Sequence, residues 1–134
     1  MPLIKVLVVD DEKYLTFMLS MKLTQLGAQV FTASNGDEAF TLACAHRPDL
    51  IVTDFQMPKL NGLQLAQKLK LHEPTSHIPV LMLTARGHAI ANDQLQQTNI
   101  RQLISKPFSA KEFLSTVAEH CHLPLDAAGG SLAA

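Results

Sequence analysis

The sequence predicts an α/β protein in which a parallel sheet is covered by helices on both faces. Strand-like and helix-like windows alternate five times along the chain, which is the pattern of parallel strands joined by helical crossovers. The first window, Leu3–Val9, is almost continuously apolar, as expected for a strand that is buried on both faces. The chain has 134 residues, which is enough for one domain with a sizeable core.

After the first strand, a helix is predicted over Lys13–Leu26 because its leucines recur at helical spacing. Gly27 stands where a left-handed helix cap belongs. Gln29–Ala33 is predicted to be the second strand. Gly36–Ala45 is predicted to be the second helix, with small and aromatic side chains on one face.

The middle of the chain repeats this pattern. Asp49–Thr53 is predicted to be the third strand, and a loop follows it. Asn61 can cap a helix over Gly62–Leu71, since an asparagine side chain accepts a hydrogen bond from the first helical turn. A polar turn over residues 73–79 then leads to the fourth strand, Val80–Leu83.

The last two helices are expected to differ in stability. His88–Thr98 carries few apolar anchors, and weak burial predicts low local stability. Arg101–Ser105 is predicted to be the fifth strand. Ser109 and Glu112 form a capping-box pattern that opens a strongly amphipathic last helix, which Pro124 is expected to end. We therefore predict a domain over residues 1–123 and a flexible tail or linker over residues 124–134.

Composition excludes several classes of protein. The chain is 47% hydrophobic and 17% charged, and its net charge is −1, so direct nucleic-acid binding by this segment is not expected. No apolar stretch approaches the roughly 20 residues that cross a bilayer, and the N-terminus does not have the pattern of a signal peptide. Cys44 and Cys121 form no disulfide pattern. We expect a cytoplasmic protein without membrane contact.

Polar residues follow four of the five predicted strands. They are Asp10 with Asp11, Asp54, Thr84 and Lys106. In parallel α/β sheets, ligands bind beyond the carboxyl ends of the strands, so these side chains are expected to meet. Two carboxylates ~4 Å apart repel by ~4 kcal/mol at an effective dielectric near 20, so the group favours a bound cation. Mg²⁺ suits such a site because it prefers oxygen ligands and bridges to phosphate.

This set of residues predicts phosphoryl transfer to an aspartate. Asp54 is the candidate nucleophile because an aspartyl carboxylate can form an acyl phosphate. Lys106 offers a compact positive charge for phosphoryl oxygens, and Thr84 offers a hydroxyl donor. Each residue alone has an ordinary structural explanation as a helix-terminus charge, a strand end or a turn. The four positions together, in this order, favour the functional interpretation.

The chain resembles the response-regulator receiver domain of two-component signalling from about Ile4 to His122. The resemblance rests on four motifs, Val8–Glu12, Asp54–Gly62, Leu83–Ala85 and Lys106–Phe108. It implies a flavodoxin-like, three-layer α/β/α fold whose five-stranded parallel sheet has the strand order 2-1-3-4-5.

The resemblance also implies a function, that of a phosphoacceptor switch rather than a metabolic enzyme. Asp54 would take a phosphoryl group from a histidine kinase or a phosphotransfer protein. Asp11, Asp54 and the backbone carbonyl of Gln56 would bind Mg²⁺ or Mn²⁺, with Asp10 acting partly through water. Lys106 would contact the phosphoryl group, Thr84 would turn toward it, and the Lys106–Pro107 bond would be cis. The resemblance does not tell which output partner or fused effector domain would respond to the switch.

Two positions depart from the family pattern. Leu103 stands where receivers usually carry tyrosine or phenylalanine, so the usual coupling of the threonine to an aromatic side chain cannot work in the same way. Residues 99–102 lack the acidic pair that many DNA-binding relatives use for dimer salt bridges, so that dimer is not expected here. We expect phosphorylation to pull Thr84 inward and bias the helix predicted at His88–Thr98.

Two alternatives stay open at this point. A haloacid-dehalogenase-like phosphatase also uses aspartate, Mg²⁺ and lysine, but its nucleophile follows the first strand in an Asp-x-Asp pattern, whereas Asp10 and Asp11 are adjacent here. A phosphorylation-independent interaction module is suggested by Leu103, although the intact set of site residues argues against it.

Overall fold

The computed structural model describes residues 4–57, 59–85 and 92–121. In these residues the strands are β1 (Lys5–Val9), β2 (Gln29–Ala33), β3 (Leu50–Asp54), β4 (Val80–Thr84) and β5 (Ile100–Ser105). The helices are α1 (Lys13–Gln25), α2 (Gly36–His46), α3 (Gly62–Leu71), α4 (Asn92–Gln96) and α5 (Ala110–His120). A 3₁₀ turn, Glu73–Thr75, follows α3.

The five strands form one parallel sheet in the order β2-β1-β3-β4-β5, which confirms the predicted flavodoxin-like topology. The register keeps the carboxyl ends of the strands level. Val9 pairs with both Ala33 and Thr53, and Thr84 pairs with Ser105. The residues that follow β1, β3, β4 and β5 are therefore brought to one edge of the sheet.

The core lies in two layers, one on each face of the sheet. Residues of α1 and α5 pack on one face and residues of α2 and α3 on the other, because successive strand side chains point to opposite faces. Phe113 and Leu19 are fully buried on the first face, and Leu65 is fully buried on the second. Each such side chain contributes ~1.5–3 kcal/mol through burial. The predicted three-layer arrangement is confirmed.

Local signals at helix ends are also confirmed. Gly27 has φ +95° directly after the α1 cap. Asn61 accepts a hydrogen bond from the Gln64 amide at 2.8 Å, and the Gln64 side chain accepts one from the Asn61 amide at 2.9 Å. Ser109 Oγ accepts from the Glu112 amide at 3.0 Å, which starts α5 at Ala110.

Several boundaries differ from the prediction by one or two residues. Asp54 and Thr84 are the last residues of β3 and β4 rather than the first residues after them, because the Phe55 amide donates to the Leu83 carbonyl at 2.9 Å and extends the ladder. The helix predicted at His88–Thr98 is described only from residue 92. It ends at Gln96, because the Thr98 amide and hydroxyl both bond the Leu95 carbonyl in a closing turn.

Some predictions fall on residues outside the description. These are the start of the first strand at Leu3 and the tail over residues 124–134, and the domain boundary at residue 123 stays a prediction with them. The prediction that Pro124 ends the last helix is wrong, because α5 already ends at His120, where the backbone of Cys121 turns to an extended conformation. None of the described helices combines the length and the apolarity that a bilayer span requires.

Candidate functional site

Four of the predicted site residues meet at the carboxyl edge of the sheet. Carboxylate oxygens of Asp10, Asp11 and Asp54 all lie within 4.8 Å of one another. Lys106 Nζ lies 3.0 Å from Asp54 Oδ1 and 3.3 Å from Asp10 Oδ2. Residues separated by up to 96 positions in sequence thus form one charged cluster.

Backbone hydrogen bonds from the sheet hold these residues in place. The Asp10 amide donates to the Ala33 carbonyl at 3.1 Å, and the Asp10 carboxylate accepts from the Glu12 amide at 2.9 Å. The Lys106 amide donates to the Thr84 carbonyl at 2.8 Å. The Lys106–Pro107 peptide bond is cis, as the family resemblance implied. The positions of the charged side chains therefore follow from the sheet register.

The cluster is partly withdrawn from solvent, which affects its protonation. Asp10 is 1% exposed and Asp54 is 7% exposed, whereas Asp11 is exposed. Burial raises the pKa of Asp54, Lys106 opposes the increase, and the nearby charge of Asp11 adds to it. Burial likewise raises the pKa of Asp10, against the hydrogen bond from the Glu12 amide. Both carboxylates therefore lie in surroundings that disfavour their ionised form.

Lys106 has the opposite balance. Burial by itself would lower the pKa of Lys106, but its hydrogen bonds and ion pairs with Asp54 and Asp10 outweigh burial and raise the pKa. One ammonium thus faces three carboxylates, so the cluster carries a net negative charge when all four groups are ionised. Such a site suits a hard divalent cation with oxygen ligands.

The cluster forms one wall of an open cavity of about 490 Å³. The described residues that line it are Asp10, Asp11, Glu12, Asp54, Gln56, Met57, Ala85 and Lys106. The cavity opens to solvent beside the acidic group, so Asp54 can be reached from outside through it. Gln56, whose carbonyl is a predicted metal ligand, lies in this wall.

Thr84 is placed beside the cavity rather than in its wall. It is 2% exposed at the end of β4, and it is not among the described residues that line the cavity, whereas the next residue, Ala85, is. Its observed link to the site is the backbone hydrogen bond to Lys106. A contact between the Thr84 hydroxyl and a phosphoryl group would therefore require a movement of this segment.

Sequence reasoning did not assign Glu12, Met57 and Ala85 to the site. Glu12 and Ala85 directly follow the predicted site residues Asp11 and Thr84, so their positions in the sequence could have indicated that they line the site. The thioether of Met57 lies 3.8 Å from the Thr53 hydroxyl, and Met57 also lines the cavity. That second role depends on the fold of the loop after β3.

Comparison with known proteins identifies the family. A family model of the response regulator receiver domain matches residues 6–118. The probable transcriptional regulator ycf27 of Porphyra purpurea is 40% identical over 108 residues, which are 81% of this chain and 43% of that protein. The chain therefore spans less than half the length of this relative.

Solved structures share the fold. Chemotaxis response regulator CheY4 of Vibrio cholerae matches with a TM-score of 0.82 and 28% identity, over 90% of this chain and 100% of that one. The receiver domain of sensor histidine kinase PA1611 from Pseudomonas aeruginosa PAO1 matches with a TM-score of 0.78 and 23% identity, over 89% and 98% of the two chains. Its structure has a magnesium ion coordinated in the active site cleft. The chain described here belongs to the response regulator receiver domain family, a family of signalling domains rather than metabolic enzymes.

Proposed function

We propose that this chain is a phosphoacceptor switch in which Asp54 takes a phosphoryl group from a histidine kinase or phosphotransfer protein in a Mg²⁺-dependent reaction. One observation carries the proposal. The buried carboxylate of Asp54 lies 3.0 Å from the Lys106 ammonium, within a group of three carboxylates whose oxygens span no more than 4.8 Å. Nucleophile, cation ligands and phosphoryl-binding charge are thus adjacent.

Asp11, Asp54 and the Gln56 carbonyl would hold the cation, Mg²⁺ or Mn²⁺, and Asp10 would act partly through water. The donor set fits, since Mg²⁺ binds through one or two carboxylates and keeps several waters. Burial already raises the pKa of Asp10 and of Asp54, so the ionised cluster gains from a nearby positive charge. The bound cation supplies neutralising charge for the incoming phosphoryl oxygens.

In the transfer step, an Asp54 carboxylate oxygen attacks the phosphorus of a phosphohistidine in line with the leaving imidazole. The O–P bond of an acyl phosphate forms, the N–P bond breaks, and the imidazole nitrogen keeps the electron pair and takes up a proton from solvent water. Lys106 transfers its contact from the carboxylate to a phosphoryl oxygen. Thr84 then turns its hydroxyl toward the same group. Hydrolysis of the acyl phosphate in the same site returns the switch to its initial state.

The outer face of α1 supports docking of a protein phosphodonor. Tyr14 and Phe17 are 72% and 69% exposed, and Met21 is 42% exposed, at positions that share one helix face. A second surface cavity, of about 410 Å³, is lined by both Phe17 and Asp10, so this apolar face adjoins the acidic cluster. A phosphohistidine on a partner that binds here would lie near Asp54.

The output of the switch is proposed to be a change in a partner-binding face, read by an unidentified partner or a fused effector domain. The net charge of −1 gives this segment no attraction for nucleic acid, so we assign it no direct nucleic-acid contact and no membrane contact. Free thiols at Cys44 and Cys121 fit a reducing compartment, and we place the switch in the cytoplasm.

The test is intact-mass spectrometry after incubation with acetyl phosphate and Mg²⁺. We expect the wild-type chain to gain the mass of one phosphoryl group, and Asp54→Ala to gain none. Asp37→Ala is the matched control, because Asp37 is an exposed carboxylate on α2 outside the cavity wall. A wild-type chain that gains no mass would contradict the proposal and favour the phosphorylation-independent module. Steady turnover of phosphate esters would favour a haloacid-dehalogenase-like phosphatase instead.

A further inference from the structure

The described residues between Asp54 and α3, residues 55–57 and 59–61, are here named the acceptor loop. Two of its residues, Gln56 and Met57, line the cavity beside Asp54. The loop is closed at its base by a 2.8 Å hydrogen bond from the Gly62 amide to the Phe55 carbonyl. Its end is fixed by the reciprocal hydrogen bonds between Asn61 and Gln64. These hydrogen bonds hold the two ends of the loop.

The loop also contacts the start of α2. A Cβ atom built on Gly36 would lie 2.6 Å from Leu60 Cβ and 2.7 Å from the Leu60 carbonyl oxygen. Neither atom is the end of a flexible side chain, so the loop backbone would have to move to accept a side chain at residue 36. The acceptor loop thus lies directly against the first residue of α2.

The backbone conformation of α2 does not require a glycine at this position. Among the described glycines only Gly27 has a positive φ, and Gly36 starts a regular helix. Alanine would be favoured at residue 36 by helix propensity. What the position requires is space for Leu60.

We propose that Gly36 is a positioning residue for the divalent-cation site. By admitting Leu60 against α2, it sets the position of the acceptor loop and so the place of the Gln56 carbonyl relative to Asp54. Gly36 itself is not among the described residues that line the cavity, so it acts only through the loop. The inference rests on the proposed function, in which the Gln56 carbonyl and Asp54 are ligands of the cation.

Gly62, at the other end of the loop, also leaves no room for a Cβ atom, but a substitution there is less suitable for testing the position of the loop. A Cβ there would overlap the Asp54 carbonyl oxygen and Met82 Sδ, so its replacement would disturb the nucleophile directly. The Gly36 contact reaches the loop without touching Asp54. A substitution at Gly36 therefore separates the position of the loop from the position of the nucleophile.

The test measures Mg²⁺ affinity by isothermal titration calorimetry on the full 134-residue chain. We expect Gly36→Ala to weaken Mg²⁺ binding by about 10-fold, as is usual when the support of a ligand is displaced. Gly27→Ala is the matched control. It strains a positive φ and lies before β2, at the opposite edge of the sheet, and apart from its chain neighbours none of the described residues comes within 4 Å of the added Cβ. It should lower the unfolding midpoint and leave the Mg²⁺ affinity unchanged.

A Gly36→Ala chain that binds Mg²⁺ as tightly as wild type would overturn the inference. If that variant does not fold, Leu60→Ala decides. It keeps Leu60 Cβ against Gly36 but removes Leu60 Cδ2, which lies 3.1 Å from the position of a Cβ at residue 36. The loop then packs less tightly against α2, so weaker Mg²⁺ binding supports the inference and unchanged binding overturns it. A wild-type chain that binds no Mg²⁺ overturns the proposed function itself, which distinguishes the two failures.

Discussion

Replacing Asp54 with asparagine should stabilise the fold when divalent cations are absent. Oxygens of Asp10 and Asp11 lie within 4.8 Å of an Asp54 oxygen, and each pair repels by at least ~3.5 kcal/mol at an effective dielectric of 20. The attraction between Asp54 and the Lys106 ammonium, 3.0 Å away, is about 5.5 kcal/mol at the same dielectric. Asp11 is exposed, so solvent screening weakens its repulsion with Asp54. The burial of Asp54 further destabilises the ionised carboxylate.

The balance predicts that Asp54→Asn gains about 1 kcal/mol of unfolding free energy at pH 7.5 in EDTA, or about 3 °C in unfolding midpoint for a chain of this size. Thermal unfolding followed by circular dichroism measures it. Added Mg²⁺ should reverse the order, because wild type gains about 1.4 kcal/mol at ten times its Kd, which exceeds its deficit of about 1 kcal/mol, while the variant lacks a ligand carboxylate and is expected to bind little Mg²⁺ at that concentration.

The pH dependence provides a second check. The pKa of Asp54 is raised by burial in the folded chain, so the ionised carboxylate destabilises the fold relative to the unfolded chain. The wild-type chain therefore loses stability relative to Asp54→Asn as the pH rises through the folded pKa, and the two converge in acid. Asp37→Asn should shift the midpoint little at any pH. An Asp54→Asn chain that is less stable than wild type in EDTA refutes the electrostatic reasoning.

Four further outcomes are expected. Lys106→Gln should still bind Mg²⁺ but accept phosphoryl groups at least ~10-fold more slowly from acetyl phosphate, measured by intact mass; an unchanged rate would remove Lys106 from the mechanism. Phe17→Ala should slow transfer from a phosphorylated partner protein but not from acetyl phosphate, and an equal effect on both would exclude docking through α1. Cys121 should react more slowly with iodoacetamide at pH 8 than Cys44, because burial raises the pKa of Cys121 to about 11. The contribution of Cys121 to stability should fall between about pH 9 and pH 11, because the thiol ionises first in the unfolded chain. Hydrogen exchange over residues 92–98 should change when a phosphoryl mimic binds, and identical exchange would count against coupling through this segment.

The fold was predictable because its signals are local or periodic. Leu19 and Leu23 lie on the buried face of α1 at helical spacing, and Asn61 and Ser109 cap the helices they precede. Each of these depends on residues within a turn or two of the chain. The strand order came from the family resemblance, and a parallel sheet then places Asp10 and Asp54 at one edge.

The remainder depends on contacts that no local pattern encodes. The sequence assigns no partner to the side chain of Asn99, yet its buried carboxamide donates to the Ser76 carbonyl and accepts from Lys70 Nζ at 3.2 Å. Gly36 reads as an ordinary helix start until Leu60 is found against it. Both contacts join elements separated by more than twenty residues, so only the folded chain shows them.

The most direct test of the central claim locates the phosphoryl group in the wild-type chain without any substitution. An acyl phosphate is reduced by borohydride to the alcohol, so the acceptor carboxylate becomes homoserine and can be identified by peptide mass spectrometry. After incubation with acetyl phosphate and Mg²⁺, Asp54 alone should be converted, and EDTA should abolish the conversion. Conversion at Asp10 or Asp11, or conversion of Asp54 that is unaffected by EDTA, would contradict the account.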